Sequence, residues 1–346
     1  MTSFNSLDQS FYFICGLPRS GTTALVKNLE KSNPKILCFG ESGYFGKNHL
    51  IIHNQKNKNL QFLPNTALRI LNNKLKLKSL DPILLSSFST IALTNSAQFY
   101  CEWIAELSRK EKKDYIFEKT PHHLKYIPRI LSIFPNAKFL VTWRDPYSWL
   151  LSYKNQYIRF SGSLRFKHKI QYNSILAILN YLNAYNALIN AYESFSGRVH
   201  LINNGDLSEN TSDEIKKALK FISPNIKANS FEPVYSNSSF DIKNNPEHLK
   251  INEKQRSGSS PIFNKLTCFE HWLIYFLIRP KNNSSLVVTI PAQFNLKVLF
   301  SFLFCLVITP FQALILLILN INPKTPFTSI RNYTHYINAH SPFARR

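Results

Sequence analysis

Gly16-Leu17-Pro18-Arg19-Ser20-Gly21-Thr22-Thr23 has the composition of a loop that grips a phosphate. Its glycines let the backbone turn tightly with N–H groups facing inward, and a helix starting behind it adds a partial positive charge. Thr22 and Thr23 bring hydroxyl donors to the first helical turn, and Arg19 brings a permanent cation. The spacing is that of the Walker A pattern G-x-x-x-x-G-K-[ST], with Thr22 standing where the lysine belongs. Without that lysine a nucleoside triphosphate lacks its β/γ-phosphate contact. An arginine placed earlier in the loop suits one phosphate carrying a transferable group better than a triphosphate with magnesium. A chance glycine-rich turn is the plain alternative; a strand before the loop and a helix after it argue against that.

The elements that must position this loop read as an alternating chain. Phe11–Cys15 is apolar and aromatic and predicts a buried strand ending at Gly16. Thr22–Glu30 predicts a helix with Ala24, Leu25 and Leu29 on one side, stopped by Asn33-Pro34. Further strands are expected at Ile36–Phe39, Tyr115–Phe117, Ala137–Trp143 and Arg198–Ile202. Helices are expected at His123–Phe134, disturbed by Pro128, and at Tyr147–Tyr157, Ile170–Phe195 and Ser212–Ile222, the last capped by Thr211 or Ser212. Residues 43–100 mix Lys/Asn-rich and apolar pieces and read as a variable helical insertion. The pattern implies an α/β fold, a P-loop-type parallel β-sheet flanked by helices. Ligands of such sheets sit at the carboxyl ends of strands, which singles out the loops after Cys15 and Trp143.

The chain has 346 residues, and 42 Lys+Arg against 20 Asp+Glu leave a net charge of +22. Such a surplus favours anionic partners: a phosphorylated cofactor, an acidic membrane surface or nucleic acid. No nucleic-acid module accompanies the basic charge, so nucleic acid is set aside. Five cysteines without C-x-x-C or zinc spacing predict buried thiols in a reducing compartment, and no metal-ligand cluster is visible. The first ten residues do not read as a signal peptide, which predicts a cytoplasmic protein. Residues 298–319 carry no charge and lie between Lys297 and Lys324. That length can cross a hydrocarbon core of roughly 30 Å as one helix. Pro310 and Gln312 also allow two short interfacial helices. Either way the run predicts an apolar C-terminal tail on the inner face of a membrane; a buried helix is the alternative, disfavoured because no face is polar.

GLPRSGTT resembles the 5′-phosphosulfate loop of sulfotransferases that use PAPS, 3′-phosphoadenosine-5′-phosphosulfate. Val141–Lys154 (VTWRDPYSWLLSYK) is similar to their 3′-phosphate element, a strand followed by Arg144 and, eight residues on, Ser152. The resemblance runs from about Phe11 to Ile222, and is nearest to the bacterial and tyrosylprotein-type group with a PRSGTT loop. It implies that Pro18, Arg19, Ser20, Gly21, Thr22, Thr23, Arg144 and Ser152 bind the donor. Lys254-Gln255-Arg256-Ser257-Gly258 stands where the family has a further phosphate loop, but holds one Gly; Arg256 is its candidate donor contact. Glu118-Lys119-Thr120-Pro121 matches the family's Lys-Thr-Pro element, which implies that Lys119 meets the bridging oxygen or the sulfuryl group.

Sulfuryl transfer by in-line displacement needs a base near the acceptor and cations near the leaving group, and requires no metal. Arg19 and Lys119 are the expected leaving-group cations. Glu41 follows the second strand, sits where tyrosylprotein-type enzymes carry their catalytic Glu, and is the expected general base. His122 or His123 is its competitor, near where the cytosolic enzymes place a His. The acceptor is a hydroxyl or amine, with a glycan or lipid-linked molecule as the expectation. The runner-up function is a P-loop small-molecule kinase, with Asp145 mimicking a Walker B acid. The organisation read from the sequence is a donor-binding domain at 1–235, a closing loop and helical cap at 236–285, and the tail at 286–346.

Overall fold

The computed structural model describes residues 11–46, 53–56, 59–62, 66–68, 71, 96–158, 173–234 and 266–277, and the single positions 300, 303, 307 and 311. Arg256 lies outside these residues, as does most of the 298–319 run. Phe300, Leu303, Val307 and Phe311 of that run are exposed. Among the described residues no helix is long and apolar enough to cross a membrane. The chain divides into two compact units, Met1–Trp143 with Ala187–Ser236, and Arg144–Asn186 with Asn237–Arg346.

The first unit is built on five strands: β1 (Tyr12–Gly16), β2 (Ile36–Phe39), β5 (Tyr115–Lys119), β6 (Lys138–Trp143) and β7 (Val199–Asn203). They lie in the order β2-β5-β1-β6-β7 with every neighbouring pair parallel. From β1 the chain moves toward the β2 edge, and from β6 toward the β7 edge. The direction therefore reverses between β1 and β6, and the carboxyl ends of those two strands, where Gly16 pairs with Thr142, flank the switch point. This is the parallel α/β sheet the alternating sequence predicts.

Strand periodicity explains why both faces of the sheet are covered. On one face Ile14 packs with Leu25 and Leu29 of helix α1 (Thr22–Ser32) and with Leu140, Ile202 and Ile215. Ile215 belongs to helix α7 (Thr211–Ile222), which shows Ala218, Leu219 and Ile222 to the same core. On the other face Phe13 meets Phe139, Tyr100 and Phe45, with ring centroids 5.2, 6.3 and 5.9 Å apart. Tyr100 comes from helix α2 (Ser96–Glu111). Burying each such side chain contributes about 1.5–3 kcal/mol, so the paired faces dominate the stability of this unit. Burial also pushes the Cys15 and Cys38 thiols well up, and the Cys101 thiol to about 11, which leaves all three unreactive.

Some boundaries differ from the sequence expectations for identifiable reasons. Within 43–100, read as helical, the described part includes an antiparallel hairpin of β3 (His53–Lys56) and β4 (Asn59–Phe62), joined by two residues. Its strands are only four residues each, HNQK and NLQF, too short for a strand period to stand out in the surrounding sequence. The helix expected at His123–Phe134 splits into a 3₁₀ turn (Pro121–Tyr126) and helix α3 (Ile127–Ile133). Pro128 sits in the first turn of α3, where its missing N–H costs nothing. Neither Thr211 nor Ser212 caps α7: the N-cap is Asn210, and the Thr211 hydroxyl donates back to Leu207 O of helix α6 (Asn204–Glu209) at 2.7 Å.

The chain after α7 is bonded to α1. Asn229 N–H donates to Ser32 O at 2.8 Å, and Asn28 exchanges two hydrogen bonds with the backbone of Val234 at 3.1 and 2.8 Å. In the second unit, helix α4 (Pro146–Ile158) packs with Tyr181 of helix α5 (Ser174–Ser194) through Trp149, with centroids 5.1 Å apart. Lys154 Nζ of α4 lies 2.7 Å from Glu270 Oε2 of helix α8 (Cys268–Leu277), both side chains nearly buried. Glu270 also accepts from the Ser174 hydroxyl and from Thr267 N–H.

Candidate active site

The loop after β1 is shaped by close approach to β6. Gly16 has φ +146°, and a Cβ there would fall 2.1 Å from Thr142 O. Leu17 N–H donates to that same carbonyl at 3.2 Å. The Ser20 side chain is fully buried. Its hydroxyl lies 2.6 Å from Leu17 O, 3.0 Å from Thr142 O and 2.6 Å from Thr142 Oγ1. Ser20 thus holds the loop on its neighbouring strand.

Arg19 and Gly21 both take positive φ, 71° and 92°. For a residue with a Cβ the left-handed region costs about 1–2 kcal/mol, a strain the Ser20 anchors maintain. Gly21 is the N-cap of α1, with no side-chain cap bond and no acidic residue in the first turn. The partial positive charge of that helix end is therefore not met by any side-chain acceptor of its own cap. Thr22 is buried there, while Pro18, Arg19 and Thr23 are partly exposed. A Cβ on Gly21 would lie 2.2 Å from Asn204 Oδ1, so the loop presses against the first residue of α6. The result is a cradle that glycine alone leaves open, aimed by the end of a helix.

Next to β1, the ends of β5 and β2 bring an acid and a cation together. Phe39 of β2 pairs with Glu118 of β5. Two residues past that level on β2, Glu41 Oε1 lies 2.8 Å from Lys119 Nζ. The Glu41 side chain is 53% exposed and that of Lys119 13%. Beneath them Glu118 is fully buried, with Oε2 2.7 Å from His123 Nδ1, also fully buried. Glu118 Oε1 accepts from the Ser42 hydroxyl at 2.7 Å and the Thr120 hydroxyl at 2.5 Å. His122 is exposed on the 3₁₀ turn.

In the second unit, Arg144 is the residue that follows Trp143 of β6. Its Nε is buried and has no hydrogen-bond partner among the described residues. Burial lowers the Arg144 pKa, and the neighbouring Asp145 opposes the shift. Tyr181 donates its hydroxyl to Arg144 O at 2.9 Å. Asp145 caps α4, its Oδ1 accepting the Ser148 N–H at 2.9 Å. Capping accounts for this acid without a Walker B role. Ser152 is half-buried two turns into α4.

Thr142, Asn204 and Glu118 support the site but were not singled out from the sequence; His123, read there with His122 as an alternative base, is instead fully buried against Glu118. Thr142 was detectable as the polar residue inside an otherwise apolar, aromatic strand (KFLVTW). Glu118 preceded a flagged lysine, but nothing in sequence distinguishes a buried acid from a solvated one. Asn204 depends wholly on tertiary contact.

A sequence model of the sulfotransferase family matches residues 12–225. An uncharacterized protein of Aquifex aeolicus (strain VF5) is 26% identical over 211 residues, covering 60% of this chain and 25% of the relative. The match thus spans about a quarter of that curated relative's length. Among solved structures, the sulfotransferase domain from the Synechococcus PCC 7002 olefin synthase aligns over 78% of this chain and 95% of its own, at 18% identity and a TM-score of 0.44. The sulfotransferase from Alicyclobacillus acidocaldarius aligns over 65% and 87%, at 15% identity and a TM-score of 0.35.

Proposed function

This chain belongs to the sulfotransferase family, and from that premise we propose that it moves the sulfuryl group of PAPS to an acceptor hydroxyl or amine. The observation that carries the proposal is the Glu41–Lys119 ion pair at 2.8 Å, an acid and a cation meeting at the ends of adjacent strands beside an anion-binding helix end. The residues present fit a donor of this kind. Gly16 and Gly21 leave a cradle that a Cβ would fill, and α1 offers a positive end.

When bound, PAPS supplies a sulfuryl group on a good leaving group, a 3′,5′-bisphosphate. Arg19 and the first-turn N–H groups of α1 stabilise charge on the departing 5′-phosphate, together with the Thr22 and Thr23 hydroxyls and the backbone at Pro18 and Gly21. Ser20 acts by fixing the loop. Lys119 neutralises charge at the bridging oxygen or the sulfuryl oxygens. Glu41 removes the acceptor's proton, and its exposed carboxylate leaves the acceptor room to approach. Glu41 is preferred over His122 as base because it is the one paired with Lys119. Arg144 and Ser152 hold the 3′-phosphate, where a half-buried guanidinium can fork onto two oxygens. Arg256 is kept as a further contact to that group.

The test is incubation of the purified chain with cell extract and [35S]PAPS, followed by separation of lipid, glycan and protein fractions. Label in one fraction, absent when the chain is omitted, supports the reading and names the acceptor class. No label in any fraction, with magnesium-dependent transfer from [γ-32P]ATP instead, overturns it in favour of the kinase.

A further inference from the structure

We propose that Glu118 and His123 form a positioning device that holds Glu41 and Lys119 at their working separation. Both side chains are fully buried, so neither can touch a substrate. Glu118 precedes Lys119 on β5, while Ser42 follows Glu41. Glu118 Oε1 accepts from the Ser42 hydroxyl at 2.7 Å and from the Thr120 hydroxyl at 2.5 Å. Thr120 Oγ1 in turn accepts the Gly43 N–H at 3.1 Å, and Ser42 Oγ accepts the Tyr44 N–H at 3.0 Å. One carboxylate therefore ties together the residues on either side of the Glu41–Lys119 pair. Two long, flexible side chains on separate segments would otherwise find one geometry only at an entropic cost.

His123 lies against the other carboxylate oxygen. Its Nδ1 sits 2.7 Å from Glu118 Oε2, and its ring is wedged between Phe13 and Phe45, with centroids 6.2 and 6.0 Å away. His123 N–H donates to Thr120 O, and Thr120 N–H donates to Ile14 O of β1. The hub is thereby fastened to the central strand. An acid buried this deeply is costly, and the two hydroxyl bonds to Oε1 together with the imidazole beside Oε2 offset part of that cost.

The inference rests on the sulfotransferase reading for its effect on turnover, so it is tested with a second readout that does not. The Gly46 amide donates to Gly43 O at 3.1 Å, a bond that uses none of the groups to be changed, in a turn whose Gly43 and Tyr44 amides are held by them. Ser42→Ala/Thr120→Val removes both hydroxyl links yet keeps the Glu118–His123 pair. Its Gly46 amide should exchange at least about tenfold faster, and its kcat should fall about tenfold or more with KM for PAPS within about twofold. With both hydroxyls present, Glu118→Gln alone keeps an oxygen acceptor for them and should leave exchange and kcat near wild type, whereas Glu118→Leu alone should speed exchange and lower kcat as the double variant does. Unchanged Gly46 exchange in the double variant overturns the device, and so does faster exchange with full kcat. A wild-type chain that transfers no sulfuryl group sinks the enzymatic reading alone, and the exchange comparison then decides the device by itself.

Discussion

Lys119 Nζ and Glu41 Oε1 lie 2.8 Å apart although 78 residues separate them in the chain. The pairing of β2 with β5 brings them together, and in the proposed reaction the acceptor enters where they meet. Glu41→Gln keeps the shape and removes the base. Its kcat should drop about 100-fold or more, with affinity for adenosine 3′,5′-bisphosphate within about twofold of wild type. Turnover and titration calorimetry check the two halves; near-normal turnover rejects Glu41 as the base.

Arg144→Ala should weaken binding of the same bisphosphate about 10–100-fold, the loss of charge-assisted hydrogen bonds worth about 1.5–3 kcal/mol. Arg144→Lys should recover little, because an ammonium cannot reproduce the planar fork. Calorimetric affinity that survives Arg144→Ala would remove Arg144 from the donor site.

Gly16→Ala sets a methyl group 2.1 Å from the Thr142 carbonyl, with φ at +146°. The folded state should lose at least about 2 kcal/mol in urea denaturation. Gly197→Ala is the control, since a Cβ there meets nothing within 4 Å; it should be neutral or slightly stabilising.

Lys154 and Glu270 form a nearly buried pair in the second unit. Lys154→Met alone strands a carboxylate and should cost about 3–5 kcal/mol, while Lys154→Met/Glu270→Leu should lie closer to wild type. Equal losses in the single and double variants would mean that the pair itself, not the stranded charge, sets the cost.

His200 on β7 stacks against Phe221, and burial lowers its pKa below the usual imidazole value, Glu214 partly opposing. A depressed folded pKa means that the unfolded chain takes up the proton first as pH falls. Stability is therefore full above about pH 6.5 and declines as pH drops through and below that value. The melting temperature of His200→Gln should fall less than that of wild type between pH 7 and pH 5. Parallel pH curves would exclude His200 as a source of acid sensitivity.

The sheet was readable because β1 and β6 are short apolar strands next to turn signals, and each carries a chemically distinctive residue at its end. The loop around Arg19 was legible for the same reason: its glycines are needed where φ is positive. The hairpin at β3 and β4 was not, because two four-residue strands, HNQK and NLQF, are too short to set a period apart from the Lys/Asn-rich sequence around them. Nor was the layer beneath Glu41 and Lys119. Glu118 reads as one more acid until β2 pairs with β5 and closes Ser42 over it, and His123 reads as one of two adjacent histidines until Phe13 and Phe45 enclose it. Asp145 shows the converse, a suggestive acid after a strand whose carboxylate is occupied by capping α4.

Ser20 is fastened to Thr142 across 122 positions of sequence. The binding loop is consequently not a portable cassette. Its eight residues carry only half of the instructions for their own shape, and the other half is written in a neighbouring strand. Transplanted beside a strand with an apolar residue at that register, the same eight would keep their bonds to the strand's carbonyl but lose the hydroxyl contact, and the arginine's strained backbone would be held less firmly.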